Sequence, residues 1–198
     1  MDMPSFAGKL APTATNMIRM DHAHVMSVFH QYEVDASPRS RQGLANTICL
    51  ALEIHAQLEE EIFYPALRAL DSANPAILKA VPEHNEMKRL IARLRSMQPT
   101  EAGYDDTLFE LMRDVMHHVA DEETILLPEA ERLMADRLGD LGAQMLKRRV
   151  ALSAPHGGEI AGNMLRSLPK STMMLAAGAL MAGTYLMKRN GNHHRNDG

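Results

Sequence analysis

The chain has 198 residues, 45% apolar and 23% charged, which is enough for one domain with a sizeable core plus a tail. With a net charge of −4, nothing points to nucleic acid as the main partner, and none is expected. The single cysteine, Cys49, excludes an internal disulfide and fits a reducing compartment, and the N-terminus lacks a secretory pattern, so a cytoplasmic protein is expected.

Residues 1–13 read as an N-terminal arm. A first helix is predicted over 14–36. Ser37-Pro38 then supplies an N-cap followed by proline at the first helical position, and a second helix runs from there to about residue 71. Asn74-Pro75 repeats that signal for a third helix ending near Met97, with Pro82 as an early kink or the true start. Pro99 and Gly103 mark a loop, and a fourth helix covers about 105–137. No alternating run of strand-forming residues is present, so the class is all-α, an antiparallel up-down four-helix bundle over 14–137 with extra C-terminal helices. In the accessory segment 138–168, Gly139 and Gly142 bracket a turn and a short helix covers 143–153.

The segment 169–188 holds an uncharged apolar run at 172–187, and residues 189–198 form a polar, disordered tail. At 16 residues the run is short of the ~20 needed to span a bilayer. It is expected to pack on the bundle, to mediate self-association, or to associate with a membrane.

Two stretches repeat 63 residues apart. His55-Ala-Gln-Leu-Glu59-Glu60-Glu61 and His118-Val-Ala-Asp-Glu122-Glu123 each place Glu at +4 and +5, Ile at +7 (Ile62, Ile125) and Pro at +10 (Pro65, Pro128). One helix upstream of each lies an acid–histidine pair, Asp21-His22 and Glu83-His84. Positions i and i+4 share one helix face, and counting by threes and fours puts His22, His55, Glu59, His84, His118 and Glu122, followed by Ile62 and Ile125, on the apolar stripe of their own helices. A bundle turns those stripes inward. Six ionisable groups then meet in the core, where buried unpaired carboxylates cost several kcal/mol each, and metal cations offset that cost. Six ligands exceed one tetrahedral zinc and suit two ions. Mixed imidazole and carboxylate donors with open positions favour iron over zinc or copper, and magnesium or calcium would take oxygen almost exclusively. Glu60, Glu61 and Glu123 read as a solvated flank, with a bond to a ligand histidine as the alternative; His24 is expected to be exposed.

These motifs resemble the hemerythrin HHE cation-binding family over residues 14–137. The resemblance implies an oxo- or hydroxo-bridged centre of two iron ions held by His22, His55, Glu59, His84, His118 and Glu122, with both glutamates bridging. His117, five residues before Glu122, is the alternative to His118. Oxygen-carrying members place a second histidine one turn after the third-helix ligand, and here that position is Lys88. The chain is therefore more similar to the bacterial branch that includes iron–sulfur-cluster repair proteins. Lys88 is expected to face the same iron, to leave a coordination position open, and to act in catalysis as a proton or hydrogen-bond donor. The implied function is binding of, or reaction with, oxygen, hydrogen peroxide or nitric oxide in sensing, detoxification or iron-centre repair. The alternative is an iron-binding or iron-donating module without turnover.

Overall fold

A computed structural model describes residues 12–167. The fold is all-α, a four-helix bundle with extra C-terminal helices. Thr13 caps α1 (Ala14–Phe29) by accepting from the Asn16 N–H. The helix stops at residue 29, seven residues short of the expected end, and the chain turns until Ser37 caps α2 (Pro38–Leu58). The second rod continues from α2 through a wide turn, Glu59–Phe63, into α3 (Tyr64–Arg68). Asn74 caps α4 (Pro75–Ser96) through two backbone N–H groups. Pro82 lies inside α4 and is not its start; it only removes the N–H that Leu78 would have received. The fourth rod runs from α5 (Tyr104–Asp121) through a second wide turn, Glu122–Leu126, into α6 (Leu127–Leu133).

The wide turns have a covalent cause. In each, a backbone N–H reaches back five residues, Tyr64 to the Glu59 carbonyl and Leu127 to the Glu122 carbonyl, so these are π turns. Pro65 and Pro128 follow directly. A proline in a regular α-helix clashes with the carbonyl four residues back and cannot donate to it, and one extra residue in the turn relieves that conflict. The extra residue also rotates the inward face. Ile125, expected to face the core, is 53% exposed, and Leu126 is fully buried instead; on the second rod Phe63 is buried and Ile62 only half-buried.

The expected turn at Gly139 and Gly142 does not form, because both glycines lie within α7 (Leu138–Ser153). A Cβ on Gly142 would fall 2.0 Å from the Pro12 carbonyl oxygen, so glycine lets α7 press against the start of α1. A short 3₁₀ turn, Ala154–His156, leads to α8 (Gly157–Ser167), which packs along α2.

The expected localisation, cytoplasmic with membrane association through 172–187, is corrected on the membrane side: among the described residues no helix is long and apolar enough to cross a membrane. The run 172–187 itself lies outside the described residues, as do the arm up to residue 11 and the polar tail.

The core is in two parts. One cluster gathers Ile18, Leu58, Phe63, Tyr64, Leu67, Ile77 and Leu126. The other gathers Val25, Ile48, Leu52, Met87, Ile91, Leu111 and Val115. Between them lies a layer of buried polar side chains.

Candidate metal centre

That layer is His22, His55, Glu59, His84, His118 and Glu122, and Glu59 and His84 are completely inaccessible. Each of the four rods contributes, so every residue predicted as a ligand is brought to one place. Two groups of donors form. His22, His55, Glu59 and Glu122 offer atoms that all lie within 4.8 Å of one another, and so do Glu59, His84 and His118. Within the first group, His22 Nε2 is 3.3 Å from Glu122 Oε2 and His55 Nε2 is 3.3 Å from Glu59 Oε2. Within the second, His84 Nε2 is 3.3 Å from Glu59 Oε2 and 3.1 Å from His118 Nε2. His117 and His24 are exposed, outside the layer.

Every one of the four imidazoles is held from behind by a carboxylate at Nδ1. His22 meets Glu123 at 2.9 Å, His55 meets Asp21 at 3.4 Å, His84 meets Glu60 at 2.9 Å and His118 meets Glu83 at 3.0 Å. The arrangement repeats with the sequence: the acid before His22 or His84 orients the histidine of the next rod, and the acid after each glutamate crosses to the other repeat, Glu60 to His84 and Glu123 to His22. With Nδ1 donating outward, Nε2 presents a lone pair inward, which is the tautomer a metal requires. Glu60 and Glu123 are therefore not a mere solvated flank. Glu61 is, paired at the surface with Arg148.

Lys88 does not aim its ammonium at the centre. Nζ lies 2.7 Å from both Glu60 oxygens, on the far side of His84, and the side chain is 43% exposed. The expectation of a lysine donating directly to a bound ligand is corrected on this geometry: the long stem carries the charge outward. Arg149 backs Asp21 in the same way, and Lys79 backs Glu83.

Sequence reasoning missed Tyr64. Its hydroxyl donates to Glu122 Oε1 at 2.8 Å and lies 3.1 Å from Glu59 Oε2 and 3.4 Å from His84 Nε2. Leu127 stands at the equivalent position of the second repeat, so the two halves differ here. Pro65 was a partial signal: a π turn precedes it and Tyr64 ends that turn pointing inward, whereas Pro82 sits in regular α-helix.

Charge in this layer is unbalanced. Burial pushes the Glu59 carboxyl well above its ordinary range, and neighbouring Glu122 pushes it further. Glu122 is held low despite burial by His22, His118 and His55. Burial drives His55 down to about 4 against the pull of Asp21, and lowers His84 and His118 as well. Burial opposes a charge on His22 too, but Glu122 and Glu123 outweigh it and raise it. Burial and the two carboxylates keep the Tyr64 hydroxyl protonated. Meanwhile His22 Nε2, His55 Nε2, Glu59 Oε1 and Glu122 Oε2 are buried without a hydrogen-bond partner. Four orphaned inward atoms in one layer are costly in a native core, and cations bound among them supply the missing partner.

The model of the hemerythrin HHE cation-binding domain matches residues 13–130. The chain belongs to the hemerythrin HHE cation-binding family. Among HHE relatives in solved structures, a crystal structure of an HHE domain-containing protein from Mycobacterium kansasii covers 79% of this chain and 99% of its own, with a TM-score of 0.64 and 22% identity, a likeness of fold. An uncharacterized protein of Mycobacterium tuberculosis (strain ATCC 25618 / H37Rv) is 25% identical over 59% of this chain and 71% of its own. A protein named DNA nickase from Nostoc sp. (strain PCC 7120) is 32% identical over 111 residues, 56% of this chain. The chain spans 31% of the length of that nickase.

Proposed function

We propose that this HHE domain holds two iron ions and binds or reacts with a small diatomic or peroxide ligand, in sensing, detoxification or iron-centre repair. The carrying observation is the set of four orphaned, inward-facing donor atoms in a layer of four imidazoles and two carboxylates. His22 and His55 would serve one ion and His84 and His118 the other, with Glu59 and Glu122 shared. Such a donor set fits iron better than a hard oxygen-seeking cation. When bound, iron supplies redox chemistry and coordination positions that the six side chains leave open.

The surrounding residues support this reading. A cavity of about 20 Å³ adjoins the layer, walled mainly by Val25, Leu52, Met87, Ile91 and Val115, with Asp21, Glu53 and Lys88 also in its lining. It has room for little more than one water-sized molecule, and its apolar wall favours an uncharged diatomic over an ion. Tyr64 holds a proton at its phenolic oxygen on the opposite face of the layer. Glu60, with Lys88 behind it, fixes His84, so Lys88 acts through two intervening groups rather than on a ligand.

The test is anaerobic loading with ferrous iron followed by exposure to oxygen, peroxide or nitric oxide. Two irons per chain and a new near-ultraviolet or visible charge-transfer band support the proposal. Tight iron with no spectral response to any of the three supports the alternative, an iron-binding module without turnover. No iron at saturation overturns both.

A further inference from the structure

The centre can be approached from two sides with unlike chemistry. On one side lies the small apolar cavity just described. On the other, a groove of about 290 Å³ opens between α4 and α5, toward the core cluster that holds Ala80 and Leu126. Its half-exposed mouth carries Lys79, Glu83 and Asp121, and its inner wall includes His118 and Glu122, both buried. Glu122 Oε2 has no hydrogen-bond partner.

We infer that this groove is the port through which a divalent cation reaches the centre. The inference rests on the reading of the centre as a metal site. A cation with six waters occupies roughly 200 Å³ at about 30 Å³ per water, so the groove admits it hydrated and the 20 Å³ cavity does not. The hard step is shedding that water, which needs oxygen donors along the way. Glu83 and Asp121 supply them at the mouth and Glu122 inside; Asp21 and Glu53 line the cavity on the other side, but at 20 Å³ it has no room for the hydrated ion. Charge is favourable as well: two carboxylates and one ammonium at the mouth, with a third carboxylate inside, attract a dication. The opposite surface is also acidic, with Glu53, Glu60 and Glu61 around Lys88, but its lining includes none of the six donors, whereas the groove reaches His118 and Glu122. Lys79 Nζ bonds Asp121 and lies 3.2 Å from Glu83, so it is a tethered cation that competes for the same oxygens.

The experiment measures stopped-flow uptake of Co(II), followed by its visible absorption, on the full chain made metal-free with a chelator. Ile125 borders the groove, is 53% exposed and is not among the donors of the centre, so a charge can be placed there while all six ligands are kept. Ile125→Lys is expected to slow uptake about three- to tenfold at low ionic strength and Ile125→Glu to speed it, both reaching the wild-type endpoint. The differences should shrink at high salt. Lys79→Gln should also speed uptake. Gln57→Lys, beside Lys88 on the opposite surface, should leave the rate unchanged. Equal rates for Ile125→Lys and wild type, or slowing by Gln57→Lys instead, would overturn the port. No uptake by the wild-type chain at the endpoint would overturn the metal reading, and the port with it.

Discussion

The Tyr64 hydroxyl donates to Glu122 Oε1 at 2.8 Å, tying the second rod to the fourth through the middle of the polar layer. Removing that hydroxyl leaves a buried carboxylate oxygen without a donor, a loss of about 1.5–3 kcal/mol for a bond to a charged group. Tyr64→Phe is therefore expected to lower the melting temperature of the metal-free protein while leaving its metal stoichiometry intact. Thermal unfolding together with metal analysis checks both halves. An unchanged melting temperature would show that Glu122 finds another partner.

Glu59→Gln should stabilise the metal-free protein and abolish full metal loading. The sign follows from the raised carboxyl. Below pH 4.5 the side chain is protonated whether folded or unfolded, so it contributes nothing there. Above 4.5 the unfolded chain releases its proton first, the folded state binds more protons, and stability falls as pH rises. Glutamine has no such slope. The melting temperatures of variant and wild type should coincide near pH 4 and diverge in favour of the variant toward neutrality. A gap that is constant with pH would mean Glu59 does not carry the proton.

Glu60→Gln and Glu123→Gln should each weaken metal binding about 10- to 100-fold, because the outward partner of a metal-binding imidazole sets its tautomer and orientation. Lys88→Met should weaken binding in the same direction by loosening Glu60. Glu61→Gln, at the surface on Arg148, should change nothing. Competition titration against a chelator gives the four affinities, and equal values for Glu60→Gln and Glu61→Gln would refute the assignment.

The meeting of the six candidate donors in one buried layer was legible because i,i+4 spacing and an internal repeat survive any detail of packing. The course of the rods was legible from Ser37-Pro38, Asn74-Pro75 and the break at Pro99 and Gly103. Other features depend on geometry between helices. Nothing local tells Glu60 from Glu61: adjacent on one helix, they point about 100° apart, and only the position of His84 decides which is used. Lys88 shares a helix face with His84, but its stem is long enough for the charge to leave that face. Ile125 was misplaced because the count assumed regular α-helix through Pro128. The end of α1 was overrun because residues 30–36 carry no strong breaker, and Gly142 was read as a turn although the neighbour that requires a glycine there is Pro12, far away in sequence.

Gly142→Ala should destabilise the protein by about 1–3 kcal/mol, the usual cost of forcing an extra methyl into a packed site. The nearest atoms are backbone and cannot rotate away. Gly139→Ala, where nothing lies within 4 Å, should be neutral or slightly stabilising by helix propensity. Chemical denaturation of the two variants measures the contrast, and a costless Gly142→Ala would mean α7 does not press on α1 as described.

Metal should stabilise the fold by mass action, by about 2.7 kcal/mol when free metal is ~100 times its dissociation constant. His118→Ala should lose most of that gain and His117→Ala none, since only His118 lies in the layer. The measurement is the shift in melting temperature on adding metal to each variant; similar shifts would show that the layer is not where the metal binds.

The polar layer divides the apolar interior into two clusters, and each of the four rods passes through both. Helices commonly fray from their ends. Here the weakest stretch of the metal-free chain lies at mid-rod, where four unpartnered atoms and two π turns coincide. Amide protons around Glu59 and Glu122 should then exchange before those of Leu111 or Leu67 on either side. Cation binding would act as a clasp at the waist, turning two loosely coupled halves into one cooperative unit.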